Sequence, residues 1–266
     1  MEKREQFSIN GKMVIITGAS GGLGEQLAYE CAKQQAGLIL VARREEVLKQ
    51  VANTCQKWTN EPVYYYACDL SNANEVELLL EKIQSIDVDI VINNAGRGYL
   101  KQAVDLTKEE IEEMLQLNLY TLIQMTQYYL PKFMKKKSGM FVQIASQAGK
   151  TATPKTSVYS ASKFGVLGYS NALRLELKEQ GIHVMTVNPG PIATQFFEKA
   201  EPTGKYLASV SRYVLTSEEV ARKIVRGMKL QKREVNVPYS MNLAAKLNFC
   251  FPKIGDFSIL KLFNKK

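Results

Sequence analysis

Histidine is nearly missing from this sequence: His183 is the only one in 266 residues, and the four cysteines include no C-x-x-C pair. Zinc sites are built from those two residue types at short spacings, so no metal site is expected. Cys31, Cys55, Cys68 and Cys250 are also too scattered to read as a disulfide framework, and reduced thiols in a cytoplasm fit them best. Long apolar runs are absent too. Nothing approaches the roughly 20 consecutive apolar residues that span a bilayer, and the opening "MEKREQFSINGK" lacks the apolar stretch of a secretory signal. A soluble, cytoplasmic protein is expected.

Clustered charge is a third absence. The net charge is +9, from 35 Lys and Arg against 26 Asp and Glu, which suits nucleic acid, an anionic membrane, an acidic carrier or a phosphorylated ligand alike. Yet the basic residues are dispersed, with the densest run at Lys135 to Lys137, and no nucleic-acid-binding motif accompanies them. Nucleic acid is therefore not an expected partner. The "KKKSG" run reads as the solvated end of a helix followed by a turn.

What the sequence does contain is alternation. "MVIIT" (13 to 17), "LILVA" (38 to 42), "VYYYA" (63 to 67), "DIVIN" (89 to 93), "MFVQIA" (140 to 145) and "HVMTVN" (183 to 188) read as strands buried on both faces. Amphipathic segments lie between them: one around Leu23, Leu27 and Cys31, then about 44 to 57, 72 to 86, 107 to 136 and 157 to 180. Strict alternation implies right-handed crossovers, hence an α/β fold with a doubly wound parallel sheet and helices on both faces. No linker, repeat or low-complexity stretch interrupts it, so 1 to 266 is read as a single domain. His183 opens a buried strand and reads as structural, and Tyr64 to Tyr66 as ordinary strand packing.

Ligands of such sheets bind beyond the carboxyl ends of the strands. The first such place is "TGASGGLG", Thr17 to Gly24, where Gly18, Gly22 and Gly24 permit a tight turn and let a pyrophosphate approach the N–H groups of the first helix. The spacing is G-x-x-x-G-x-G, unlike the G-x-G-x-x-G of many dinucleotide folds. Further on, "VYSASKFG" places Tyr159 and Lys163 one helical turn apart, on one face, where both could meet a common ligand.

Taken in order, "TGASGGLG", "CDL" at 68 to 70, "NNAG" at 93 to 96, Asn118, Ser146, "YSASK" at 159 to 163 and "NPGPIAT" at 188 to 194 resemble the short-chain dehydrogenase/reductase family over residues 11 to about 237. The resemblance implies a Rossmann-type fold, hydride transfer with a nicotinamide cofactor, and a catalytic tetrad of Asn118, Ser146, Tyr159 and Lys163. Reducing a carbonyl builds negative charge on its oxygen, so a proton donor must lie within hydrogen-bond reach. Tyr159 would be that donor. A nearby cation favours the phenolate, which is the service expected of Lys163; Ser146 would orient the substrate oxygen. By analogy with the family, Lys163 also holds the nicotinamide ribose, and Asn118 positions a water that relays protons to it.

The cofactor contacts implied by the resemblance are Gly18, Ser20, Gly22, Leu23 and Gly24 in the loop, with Asp69 and Leu70 near the adenine. Asn93, Ala95 and Gly96 would floor the adenine ribose, while Pro189, Gly190, Ile192 and Thr194 pass the nicotinamide. Asp69 or Ser71 could equally cap the following helix. At the end of the second strand, "LVARRE" carries no acidic residue to accept the ribose hydroxyls of NAD but does carry Arg43 and Arg44, whose guanidinium forks suit a 2′-phosphate. NADP(H) is expected, with Arg43 the main contact; Arg44 either joins it or faces solvent.

Residues 195 to 215 would form a substrate lid, with Phe196, Phe197, Tyr206, Leu207 and Tyr213 offering apolar contacts. The extension 238 to 266 is apolar and ends in lysines. Packing over the cleft or on a dimer partner competes with peripheral contact to an anionic membrane surface. The long helices 107 to 136 and 157 to 180 imply, by family habit, a homodimer or homotetramer. The expected function is an NADP(H)-dependent oxidoreductase acting on a small-molecule carbonyl or secondary alcohol, a 3-oxoacyl thioester or another bulky ketone being candidates. A non-catalytic NADP(H)-sensing protein is the alternative; loss of the tyrosine or lysine would mark it, and both are present.

Overall fold

The computed structural model of the chain describes residues 7–201, 203–204, 210 and 213–263. Seven parallel strands form one sheet: β1 (Met13–Thr17), β2 (Gly37–Ala42), β3 (Val63–Ala67), β4 (Ile90–Asn93), β5 (Gly139–Ile144), β6 (Ile182–Pro189) and β7 (Glu234–Val237). Their order is β3-β2-β1-β4-β5-β6-β7. The chain reverses direction across the sheet between β1 and β4, and at that switch point the carboxyl ends open a crevice.

Period-2 side-chain alternation divides the core into two layers. Val14 and Ile16 of β1, Leu38 and Leu40 of β2 and Val142 of β5 pack on one face with Leu27 and Cys31 of α1 (Gly22–Ala32). Ile15, Ile39 and Phe141 pack on the other with Met125, Tyr129 and Phe133 of α5 (Thr121–Lys136). The remaining helices are α2 (Glu45–Gln56), α3 (Ala73–Lys82), α4 (Lys108–Leu115), α6 (Ser157–Glu176), α7 (Gln195–Ala200), α8 (Ser217–Lys229), α9 (Tyr239–Cys250) and α10 (Pro252–Phe263).

Three sequence expectations change. β3 is not buried on both faces: it pairs only with β2 at the sheet edge, and Tyr64 is exposed. Neither Asp69 nor Ser71 caps α3; Asn72 does, its side chain accepting from the backbone N–H groups of Asn74 and Glu75. The "KKKSG" run does end a helix, with Lys137 in the left-handed region, yet Lys136 is not merely solvated. Its Nζ lies 2.8 Å from Asp87 and 2.9 Å from Asp89. Burial works against ionisation of Asp89, but hydrogen bonds from Lys136 and the Met13 N–H hold its carboxyl below the usual range.

The predicted segment from 107 to 136 is interrupted by a π-helical turn, Gln116–Tyr120, between α4 and α5. Thr107 and Glu110 close a capping box at the start of α4. A π turn inserts one extra residue and rotates a side chain off the regular helix face. Here the residue turned into the protein is Asn118.

Candidate active site

The glycine loop is shaped by backbone crowding. Gly18 has φ +69, the left-handed region that suits glycine, and a Cβ on Gly24 would overlap the Gly18 carbonyl oxygen. Thr17 Oγ1 accepts from the N–H groups of Asn94 (2.9 Å) and Ala95 (3.0 Å), and Asn94 Nδ2 donates to Thr17 O at 2.9 Å. The turn after β4 thus clamps the turn after β1. Asn94 did not emerge from the sequence; its neighbour Asn93 did, and the structure sends Asn93 elsewhere. Asn93 shares the strand face of Val91 and donates to Gln143 Oε1 (2.8 Å) in the core.

Lys163 is buried, and its Nζ donates to Ile144 O at 2.9 Å. Desolvation pushes its pKa down from the ordinary 10.5 to about 8. The ammonium lies 5.9 Å from the centroid of the Tyr159 ring. Ser146 begins a short turn and its Oγ accepts from the Ala148 N–H at 3.0 Å. Asn118 stands behind Gly96: both of its Nδ2 protons are engaged, by Arg97 O (2.8 Å) and Ser162 Oγ (3.0 Å), while Oδ1 accepts from the Arg97 N–H. It bonds the backbone of a neighbouring loop, not its own helix. Arg97 is itself held by an ion pair with Glu113.

A cavity of about 1100 Å³ joins the glycine loop, Ser146, Tyr159 and Lys163. Gly18, Ser20, Gly22, Leu23 and Gly24 line one end, with Arg43 and Arg44 beside them. Ser146, Tyr159 and Lys163 line the middle, flanked by Ala95 and Gly96 on one side and by Pro189, Gly190, Ile192 and Thr194 on the other. Asp69, Leu70, Asn93 and Asn118 are not in its wall; Asn118 sits behind Gly96 and Arg97, which are. Leu70 is buried, with its carbonyl accepting from Thr121 Oγ1, while Asp69 accepts from the Ser71 N–H and hydroxyl. Burial opposes ionisation of Asp69, but those bonds and the nearby Arg43 and Arg97 keep its carboxyl below the ordinary range.

The two arginines differ. Arg44 Nη2 donates to Ser20 O at 2.6 Å, and its Nε approaches Ser20 Oγ at 3.3 Å, so this guanidinium lies on the glycine loop and is not turned to bulk solvent alone. Both arginines are exposed at this end, and what sets Arg44 apart is its bonds to Ser20.

At the other end stand α7 and the extension. Phe196 packs on Tyr159 with ring centroids 5.7 Å apart, and Phe197 and Tyr213 also line the cavity. Tyr206 and Leu207 lie outside the described residues. Met241, Ala244, Leu247 and Phe251 close the wall from α9 and the turn after it, and Ile254 from α10. A polar latch fixes α9 there: Lys150 Nζ donates to Glu234 Oε2 of β7 (2.7 Å) and to the buried Asn242 Oδ1 (2.9 Å). The extension therefore packs over the cleft. His183 lies outside this site, its Nε2 3.0 Å from Lys232 O.

Residues 12–205 match the family model described as short chain dehydrogenase. The chain belongs to the short-chain dehydrogenase/reductases. Ketoacyl reductase HetN of Nostoc sp. is 33% identical over 262 residues, covering 96% of this chain and 89% of that relative. Human 17-beta-hydroxysteroid dehydrogenase 13 is 30% identical, covering 97% and 85%. A solved short-chain dehydrogenase from Sphingobium yanoikuyae, in complex with NADPH, superposes with a TM-score of 0.79 at 27% identity, covering 91% of this chain and 93% of its own. As a short-chain dehydrogenase/reductase the protein is an oxidoreductase that uses a nicotinamide dinucleotide, and the glycine loop fits one. The loop has no side chain at the positions where a diphosphate must approach the start of α1.

Proposed function

We propose that this enzyme uses NADP(H) to reduce the carbonyl of a bulky, largely apolar ketone or acyl thioester. The observation that carries the reading is the buried Lys163 beside Tyr159, in the middle of a cavity with a cationic, glycine-lined end and an apolar end. The bound cofactor supplies the hydride. Ser146 already accepts from the Ala148 N–H, so its own proton is left to hydrogen-bond the substrate oxygen. Tyr159 donates its phenolic proton to that oxygen as charge develops there. Lys163, charged near neutral pH, favours the phenolate and so makes the phenol a stronger acid. Asn118, with its amide hydrogens committed, acts by holding the Arg97 loop and the π turn in register.

Four further points support the reading. Arg43 and Arg44 stand where an acidic residue would select NAD, and NADPH is the partner of the similar Sphingobium structure. The names of the relatives, a ketoacyl reductase and a hydroxysteroid dehydrogenase, point to acyl and polycyclic ketones, both of which suit the apolar end. Exposed Leu115, Tyr120, Phe164 and Leu175 on the outer faces of α4 to α6 provide for contact between copies, in keeping with a homodimer or homotetramer. Four free cysteines fit a cytoplasmic enzyme.

The test follows NADPH absorbance with a panel of aldehydes, diketones, ketosteroids and 3-oxoacyl thioesters, with NADH and Tyr159→Phe as controls. NADPH-dependent turnover that disappears in the variant is expected. Tight NADPH binding without turnover across the panel would shift the reading to a sensor.

A further inference from the structure

Eight large apolar side chains lie at least 48% exposed within one short segment: Tyr239, Leu243, Leu247, Phe249, Phe251, Ile254, Phe257 and Leu260. They belong to α9, α10 and the residue between them. Scattered exposed apolar residues are ordinary on a soluble protein, but a contiguous set of this size marks a surface built to be covered. Within 239 to 261 the charged residues are Lys246, Lys253 and Lys261 against Asp256, all exposed. α10 packs principally on α9 and so offers its outer side away from the sheet.

Leu247, Phe251 and Ile254 are both cavity lining and exposed, at 56%, 59% and 66%. The apolar end of the cavity therefore opens through the same surface. Whatever covers the hairpin also stands over the mouth.

We infer that the α9–α10 hairpin docks on an anionic lipid surface and draws an apolar ketone from it into the cavity. Aromatic and aliphatic side chains with interleaved lysines match the acyl boundary and the anionic headgroups of such a surface. A second copy of this chain fits less well, because it would set like charges against each other and stopper the mouth. Among the described residues no helix is long and apolar enough to cross a membrane, so the contact is peripheral. The inference deepens the reductase reading by naming the source and class of its substrate: a ketone dissolved in lipid.

The test uses the full chain and two variants that leave the cavity wall intact, Phe249→Glu/Phe257→Glu and Lys246→Gln/Lys253→Gln. Each is floated with vesicles of phosphatidylcholine alone or with about one-third phosphatidylserine. The native chain should float with the anionic vesicles, and the glutamate variant should partition at least about tenfold less. The glutamine variant should partition about 30-fold less, from the roughly 1 kcal/mol that each of the two lysines contributes near an anionic surface. Reduction of a water-soluble diketone should be unchanged in both variants, while apparent KM rises for a long-chain ketone presented in anionic vesicles. Failure of the native chain to float would overturn docking, as would a native dimer that the glutamate variant dissolves without any lipid binding. Flotation needs no turnover, so loss of diketone reduction in the native chain would count against the reductase reading alone.

Discussion

Replacing Lys163 by methionine should abolish turnover and yet raise stability in a pH-dependent way. Methionine retains most of the buried volume and removes the charge. A shift from 10.5 to about 8 corresponds to about 3 kcal/mol of disfavour for the charged form inside the fold. Against that, Ile144 O loses its donor, at a cost of about 1 to 3 kcal/mol. Near pH 7 the variant should therefore lie between equal stability and about 2 kcal/mol above the native chain. The sign with pH is more telling. Above pH 8 the folded native lysine is neutral while the unfolded one stays charged to about 10.5, so folding releases a proton and native stability rises with pH. The difference between variant and native chain should accordingly fall by about 3 kcal/mol between pH 8 and 10.5. Urea unfolding without cofactor at several pH values measures this, since other titrating groups cancel in the difference. A flat difference across that window would refute the claim that Lys163 is a desolvated cation.

Tyr159→Phe should lower kcat by about 10²- to 10⁴-fold, the range of a lost general acid, while NADPH affinity, read by fluorescence titration, stays the same. Arg43→Ser should weaken NADPH binding by about 10- to 100-fold and leave NADH binding unaltered, as loss of a charge-assisted phosphate contact requires. Arg44→Ser should weaken both cofactors, because Arg44 also braces the carbonyl of Ser20 in the shared diphosphate loop. Lys150→Met should raise KM for a bulky ketone several-fold with NADPH affinity unchanged, since it releases α9 from β7 at the apolar end.

How far the sequence reveals the site depends on what each residue answers to. β1, β2, β4 and β5 are legible because parallel strands covered on both faces must be continuously apolar, and the sheet offers few other ways to bury them. β7, "EVNV", is too short and too mixed to stand out after a charged turn. α8 carries a signal that the strand-by-strand reading passes over, with Val220, Ala221, Ile224, Val225 and Met228 on one face. Ser146, Tyr159 and Lys163 are legible because chemistry fixes their type and order. Asn93 and Asn94 are not, because both are asparagine. The alternation of β4 turns the first into the core and leaves the second to brace the glycine loop. Asn118 is legible as a residue, but the π turn that aims it has no sequence mark of its own.

The extension escapes pattern reading for a different reason. A helix with core on one side and water on the other shows one apolar stripe, but α9 and α10 have apolar side chains toward the cavity and toward the outside. Their sequence is therefore apolar without a face. That doubling gives the cavity a polarity gradient: exposed Arg43 and the glycine loop at one end, Tyr159 and Lys163 between, and Leu247, Phe251 and Ile254 at the other. On the proposed reading, an anionic dinucleotide and an apolar ketone would approach the reacting centre from opposite ends, each through surroundings that favour it and disfavour the other. The Lys150 latch joins the apolar end to the middle of the cavity, since it ties α9 and β7 to the turn that carries Ser146. On that reading, the same residues that look wasted on solvent would orient the site toward its substrate.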